Sequence, residues 1–261
     1  MTKYIDTFKQ SKTFRILLTS KKFQKKYRSP EDIWIEPEEF IDIYTERITE
    51  HLEMADADFW ALIFGYEGSG KSSLSLMLYS ELAKKLNMPF KYFTRNIIFL
   101  QNEYARVIYH FINNDISKVP ILIDDAHYVF GKYYGPTKET RTLLQLIRFI
   151  REQQLVHILN TQTPTQLFID VWLERVLDYV YMFKVKVIDE ETGQKKYRLY
   201  ACFWEDAGLV KSNVDVFRNV ADYKNILKYF PPDAITIINP LFEKYSCLLY
   251  TSDAADERSS V

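Results

Sequence analysis

Glycine is scarce in this chain, with seven residues among 261. Cysteine is scarcer still: Cys202 and Cys247 alone give neither a disulfide framework nor a cysteine-rich metal cluster. No apolar run approaches the roughly 18 residues of a membrane-spanning helix. The opening stretch MTKYIDTFKQSKTF has no apolar core of the signal-peptide kind. A cytoplasmic chain with no membrane segment is therefore expected. A hydrophobic content of 47% with a net charge of −1 excludes a disordered polyelectrolyte.

The near-zero net charge hides an uneven distribution. Residues 1 to 28 carry nine Lys and Arg against Asp6, whereas residues 31 to 58 carry eleven Asp and Glu against Arg47. Such blocks are ordinarily solvated faces that pair with each other. A basic arm on nucleic-acid phosphates is the alternative.

Three of the few glycines, Gly65, Gly68 and Gly70, crowd into GYEGSGKSS (65–73). An ordered glycine costs backbone entropy, so the cluster asks for a cause. Gly65, four residues, then Gly70-Lys71-Ser72 fits the phosphate-binding loop, whose backbone N–H groups must turn inward where Cβ atoms would obstruct. The nucleotide-binding set is then Gly65, Gly68, Ser69, Gly70, Lys71, Ser72 and Ser73. Lys71 reaches the β and γ phosphates of ATP, and the Ser72 hydroxyl ligates Mg²⁺. A glycine-rich turn before a helix is the bland reading. The flanks favour the first: FWALIFGY (59–66) is strand-like, and Leu74, Met77, Leu78 and Leu82 recur at helical spacing after the loop.

Further along, strands are expected at FKYFT (90–94), VPILIDDAHYVF (119–130) and VHILNTQTP (156–164), with a hairpin over 177–205 turning near Thr192-Gly193. Helices are expected at 38–54, with Phe40, Ile41, Tyr44, Ile48 and Leu52 on one face, and at 96–114 and 138–154. Alternating strands and helices predict a parallel sheet covered on both faces, with ligands at the carboxyl ends of its strands. The chain divides into a helical N-terminal segment (1–57), an ATPase core (58–205) and a helical C-terminal segment (206–246) broken at Pro231-Pro232. The last residues, CLLYTSDAADERSSV (247–261), resemble the translation of a transposase-based sequencing adapter. They are expected to be an adapter-derived artefact, with the native reading frame lost after about Ser246.

ILIDDAH (121–127) ends a strand in two carboxylates, Asp124 to orient the Mg²⁺ shell and Asp125 to polarise an attacking water. His127 hints at a helicase of the DEAH type, but no other helicase motif follows, so it reads as structural. His51, His110 and His157 share no metal spacing. LNTQTP places Asn160, Thr161 and Gln162 at a strand end, where an amide can bond the γ-phosphate or hold the lytic water. On the helix between these motifs, Leu143, Leu146, Ile147 and Ile150 form the buried stripe, with Arg141, Arg148 and Arg151 opposite. These arginines are either a solvated face or a charge offered to a neighbouring subunit's nucleotide. The loop FGKYYGPTKE (130–139), with Lys132 and Lys138, is either an ordinary exposed loop or a DNA-facing one.

GYEGSGKSS, ILIDDAH, RFIREQQLVHILNTQTPTQL and ERVLDYVYMF together resemble the HerA/FtsK superfamily of DNA-translocating and packaging ATPases, in the compact form found in archaeal viruses and mobile elements. The resemblance covers roughly residues 58–188. It implies a P-loop NTPase fold, three-layer α/β/α of the RecA-like type, with an extra strand between the two Walker strands. It also implies a hexameric ring and double-stranded DNA as substrate. Position for position, Lys71 and Ser72 take the phosphate and Mg²⁺ roles, Asp124 and Asp125 the Walker B roles, Gln162 the sensor role, and Arg151 stands where an arginine precedes the sensor strand. An ATP-driven DNA motor is the first expectation, and a slowly hydrolysing nucleotide switch or DNA-binding scaffold the second. A small-molecule kinase is disfavoured by the polar sensor strand and the absence of an arginine-rich lid.

Overall fold

Every residue from Phe59 to Gly65 is buried. Alternate side chains of a strand leave on opposite faces, and here Phe59, Ala61 and Ile63 enter one core while Trp60, Leu62 and Phe64 enter another. A strand buried on both faces belongs inside a sheet covered by helices. The computed structural model, which describes residues 3–55, 57–132, 137–188, 193–205, 207–212 and 214–244, has that arrangement.

Helices α1 (Lys3–Lys9), α2 (Lys12–Leu18), α3 (Lys21–Lys26) and α4 (Pro37–Ala55) precede β1 (Phe59–Gly65). Then come α5 (Lys71–Lys85), α6 (Phe90–Phe93), β2 (Ile97–Ile98), α7 (Gln101–Asn113), β3 (Pro120–Ile123), α8 (His127–Phe130), α9 (Lys138–Phe149) and β4 (Val156–Thr161). The chain continues through α10 (Ile169–Trp172), β5 (Asp178–Ile188), β6 (Lys195–Trp204), α11 (Ala207–Lys211), α12 (Tyr223–Tyr229), β7 (Ala234–Ile237) and α13 (Asn239–Lys244). The seven strands form one sheet in the order β2-β3-β4-β1-β5-β6-β7. Pairing is parallel from β2 to β5 and antiparallel from β5 to β7. Strand β4 thus separates β1 from β3.

Helices α4 and α5 cover one face, through Phe40, Tyr44, Ile48, Leu74, Met77 and Leu78. Helices α7, α9 and α12 cover the other, through Tyr104, Ile108, Leu143, Ile147 and Ile226. The apolar stripes expected on α4, α5 and α9 are the buried ones. Helix α4 is also held by charge. Arg47 donates through Nε and Nη2 to the two carboxylate oxygens of Asp178, at 3.1 and 3.2 Å. Asp178 is fully buried, and burial outweighs the guanidinium and pushes its carboxyl up to about 6. The basic N-terminal block is partly paired, Lys9 with Glu31 at 3.3 Å and Lys26 with Asp233.

The structure corrects several sequence expectations. FKYFT is helical in α6 rather than a strand: the adjacent Tyr92 and Phe93 are both packed, on Phe111 and on Tyr79 (ring centroids 6.1 and 5.0 Å apart), while Phe90 faces solvent. The edge strand is Ile97-Ile98, which takes the start of the helix expected over 96–114. The helix expected over 138–154 tightens to a 3₁₀ turn at Ile150–Gln153. The segment 206–246 is not wholly helical: β7, the fully buried AITI, adds to β6 with Cys202 opposite Ile235. Its continuous apolar run has no period to separate strand from helix. Residues 133–136 and 245–261, which include part of the 130–139 loop and the adapter-like tail, lie outside the described residues. Among the described residues no helix is long and apolar enough to cross a membrane.

Candidate nucleotide site

The carboxyl ends of β1, β3 and β4 and the amino end of α5 converge, as the strand register requires: Ile63 lies opposite Asn160, and Ile123 opposite Leu159. The loop from β1 to α5 is shaped by glycine backbone. Gly65 has φ +151°, and a Cβ there would lie 2.0 Å from the Met182 carbonyl oxygen on β5. Gly68 and Gly70 take φ +67° and +88°, left-handed values that an L side chain resists and that curl successive N–H groups toward one side. Gly70 is the N-cap of α5 and has no side chain to occupy the helix's free N–H groups.

The reactive side chains gather on the β3–β4 side of this loop. Ser72 Oγ donates to Asp124 Oδ1 at 3.0 Å. Asn160 Nδ2 donates to the same oxygen, while Asn160 Oδ1 accepts from the Asp125 N–H at 2.8 Å. Asn160 is buried, and its amide holds the Asp124 carboxylate and the Asp125 backbone together. Asp125 has φ +47°, a left-handed conformation rare outside glycine. Burial, and next the neighbouring Asp124, raise the Asp125 carboxyl above its ordinary range, with His127 and Lys71 opposing. Gln162 is exposed at the end of β4, and its carbonyl accepts from the Gly65 N–H at 3.1 Å. Thr161 turns aside, donating to Gln166 at 2.9 Å.

Lys71 points back over the loop, its Nζ 3.4 Å from the Tyr66 carbonyl. Burial lowers its ammonium below the ordinary lysine range, with Asp125, Asp124 and Glu67 opposing and Lys184 adding to the depression. Lys184, on β5, donates to the Glu67 carbonyl at 3.1 Å. Lys71 at the start of α5 and Lys184 on β5 thus bring two ammonium groups to the loop, donors of the kind that charge-assisted hydrogen bonds to phosphate use.

A glycine loop joins an interior strand to a helix, and the carboxylate-bearing strand stands one strand away. The fold is that of a P-loop NTPase, three-layered, with the additional strand β4. No family model matches the chain, and no curated protein does. Among solved structures, the N-terminal domain of zonular occludens toxin from Neisseria meningitidis is 17% identical over 60% of this chain and 90% of that one, with a TM-score of 0.37. The genome packaging NTPase B204 from Sulfolobus turreted icosahedral virus 2, in complex with ATP-gammaS, is 15% identical over 54% of this chain and 96% of that one, TM-score 0.35. The FIGL-1 AAA domain in complex with ADP is 16% identical over 46% of this chain and 41% of that one, TM-score 0.28. At these values any functional reading rests on the residues of the chain itself.

Arg151 is not part of this cluster. It is exposed in the turn before β4, at the amino end of the sheet, about 20 Å of strand from the loop. Arg148 is also exposed and lies 3.5 Å from Asp170. Arg175 is engaged inside its own subunit, donating to the Ile147 carbonyl at 3.1 Å. His157 is fully buried, stacked on Trp60 at 3.9 Å with Nε2 3.0 Å from the Tyr104 hydroxyl, and burial holds its pKa at about 3. His127 lies against the Tyr128 ring at 4.0 Å. Among the described residues no group of three or more His, Cys, Asp and Glu could hold a metal by itself.

Sequence reasoning missed Lys184 and Phe242. The first follows from hairpin register, since Met182 opposite Gly65 puts Lys184 two residues past the loop on the same face. The second had no signal: Phe242 of α13 sits where a Cβ on Gly70 would approach its ring within 2.6 Å.

Proposed function

We propose that the chain is a Mg²⁺-dependent ATPase that moves double-stranded DNA, as a translocating or genome-packaging motor of the HerA/FtsK type. The observation that carries the hydrolytic part is the 3.0 Å approach of Ser72 Oγ to Asp124 Oδ1 beside Lys71. A hydroxyl and a carboxylate side by side at a helix N-terminus are the oxygen donors that Mg²⁺ takes when most of its shell is water and phosphate. The residues fit ATP as well. The left-handed Gly68 and Gly70 turn the loop's backbone N–H groups to one side, and neither Lys71 nor Lys184 is spent on an ion pair with a described residue.

The bound cation supplies charge neutralisation for the transferred phosphoryl group. The chain's own residues do the rest. Loop N–H groups and Lys71 orient the phosphates, Ser72 and Asp124 hold the cation, and Asp125 accepts a proton from the attacking water, with Gln162 positioning that water. Asn160 keeps the Asp124 carboxylate aimed and anchors the backbone of Asp125.

The motor assignment rests on the motif resemblance, and a ring of copies is part of it. Arg151 faces away from its own loop, so it serves a nucleotide only on another copy. The second reading, a slowly hydrolysing nucleotide switch, is favoured by one feature: Asp125 is a methylene shorter than glutamate and is held in a left-handed backbone. Phosphate release with and without duplex DNA separates the two. A motor is stimulated several-fold by duplex, whereas a switch hydrolyses at one slow rate in both conditions.

A further inference from the structure

Strands β5 and β6 run on beyond the rest of the sheet. Strand β1 ends with Gly65 opposite Met182, and β7 pairs only with Tyr200–Phe203. From Lys184 opposite Leu199 to Ile188 opposite Lys195 the hairpin is therefore a two-stranded ribbon. It reaches about 20 Å past the carboxyl edge of β1 at roughly 3.3 Å per residue. That is the edge bearing the phosphate loop.

The two faces of the ribbon differ. Val185 and Val187 turn to the core face on which Tyr223 of α12 stacks on Phe183. Lys184, Lys186 and Ile188, with their cross-strand neighbours Leu199, Tyr197 and Lys195, turn the other way, on the side of α5 and the loop. This face is open: Lys186 and Lys195 are exposed, and Tyr197 and Ile188 are 53% and 69% exposed. Lys184, Lys186 and Lys195 form no ion pair with a described residue. The Lys184 ammonium lies 5.8 Å from the Tyr66 ring and 5.6 Å from the Tyr197 ring, so the lysine–tyrosine surface runs unbroken into the phosphate loop.

We infer that this ribbon face docks the phosphate backbone of duplex nucleic acid, an inference that rests on the DNA reading above and assigns its contact surface. Lysines without an ion pair to a described residue, two of them about 7 Å apart on β5 and one on β6, with the exposed Tyr197 beside them, suit a polyanion laid along the ribbon. An anionic membrane is the competing partner, and the experiment below separates it from duplex. Lysines on a free ribbon also guard against edge-to-edge aggregation, and the experiment distinguishes that role.

Binding of a fluorescent random-sequence duplex is measured by anisotropy between about 50 and about 200 mM salt. The proteins compared are wild type, Lys186→Ala/Lys195→Ala and Lys186→Arg/Lys195→Arg, each first shown to bind an ATP analogue normally. The alanine pair is expected to flatten the log-affinity against log-salt slope by about 2, and the arginine pair to keep it. If the wild type binds and the alanine pair leaves the slope unchanged, the ribbon assignment falls and the DNA reading stands. If the wild type does not bind duplex at the lowest salt, both fall. Lysine-dependent binding to phosphatidylserine vesicles, with an unaltered duplex slope, overturns the assignment in favour of a membrane.

Discussion

Gly65→Ala tests the geometry of the phosphate loop from beneath. A methyl at Gly65 would stand 2.0 Å from the Met182 carbonyl oxygen and 3.0 Å from its carbon. Carbon–oxygen contacts in sheets run at about 3.3 to 3.6 Å, so β1 and β5 must part by roughly 1.3 Å where they pair. The obstacle is backbone in the middle of the sheet, which has no rotamer by which to yield. A positive φ costs a further 1 to 3 kcal/mol or so. Together with the lost ladder contact, a destabilisation of about 3 to 5 kcal/mol follows, at the upper end for single substitutions. For a chain of this size each kcal/mol lowers Tm by about 2 to 4 °C, so a fall of roughly 10 °C is expected by thermal denaturation. Gly193→Ala is the control. Its φ is +65° but nothing lies within 4 Å of the added methyl, so it carries the backbone cost alone, about 1 kcal/mol. Equal losses at the two positions would refute the steric reasoning.

Asp125→Asn should bind nucleotide and Mg²⁺ yet lose about 10² to 10⁴ in turnover, and in the wild type the acid limb of turnover should lie above the usual carboxylate range; an unchanged rate removes Asp125 as base. Asp178 titrates near 6 in the folded chain against about 3.9 unfolded, so between those values the folded state holds the extra proton. Its contribution to stability is full below about pH 4 and is lost as pH rises through 6, and denaturant unfolding should show that decline weakened in Asp178→Asn. Arg151→Ala should bind ATP normally and lose about 10³ to 10⁵ in rate, with activity partly restored on mixing with Lys71→Ala; absence of rescue in proven mixed assemblies argues against a shared site.

The parts of this molecule that sequence made legible are those where one local rule sufficed. Glycine spacing marked the loop, and 3.6-residue periodicity marked α4, α5 and α9. Polar residues ending the apolar runs ILI and VHIL marked the ends of β3 and β4. The misread parts depend on partners distant in sequence. FKYFT has strand composition but is held by rings from distant helices, Tyr92 on Phe111 and Phe93 on Tyr79, and AITI becomes a strand only because β6 leaves an edge for it. Asn160 was legible as a polar strand end, yet its task, clamping Asp124 and Asp125, belongs to the register between β3 and β4. Lys184 depends in the same way on β5 pairing with β1 at Gly65, and Phe242 on a helix that returns from the end of the described chain.

Lys71, Ser72, Asp124 and Asp125 are proposed to make one hydrolytic nucleotide site. Steady-state phosphate release from ATP with Mg²⁺ tests it most directly, comparing the purified chain with Lys71→Ala at matched thermal stability. The account predicts turnover by the wild type and a fall of at least about 10² in the variant, because a charge acting on the phosphates in the transition state is removed. Equal rates in the two proteins, or no Mg²⁺-dependent release from the wild type with or without duplex DNA, would contradict it.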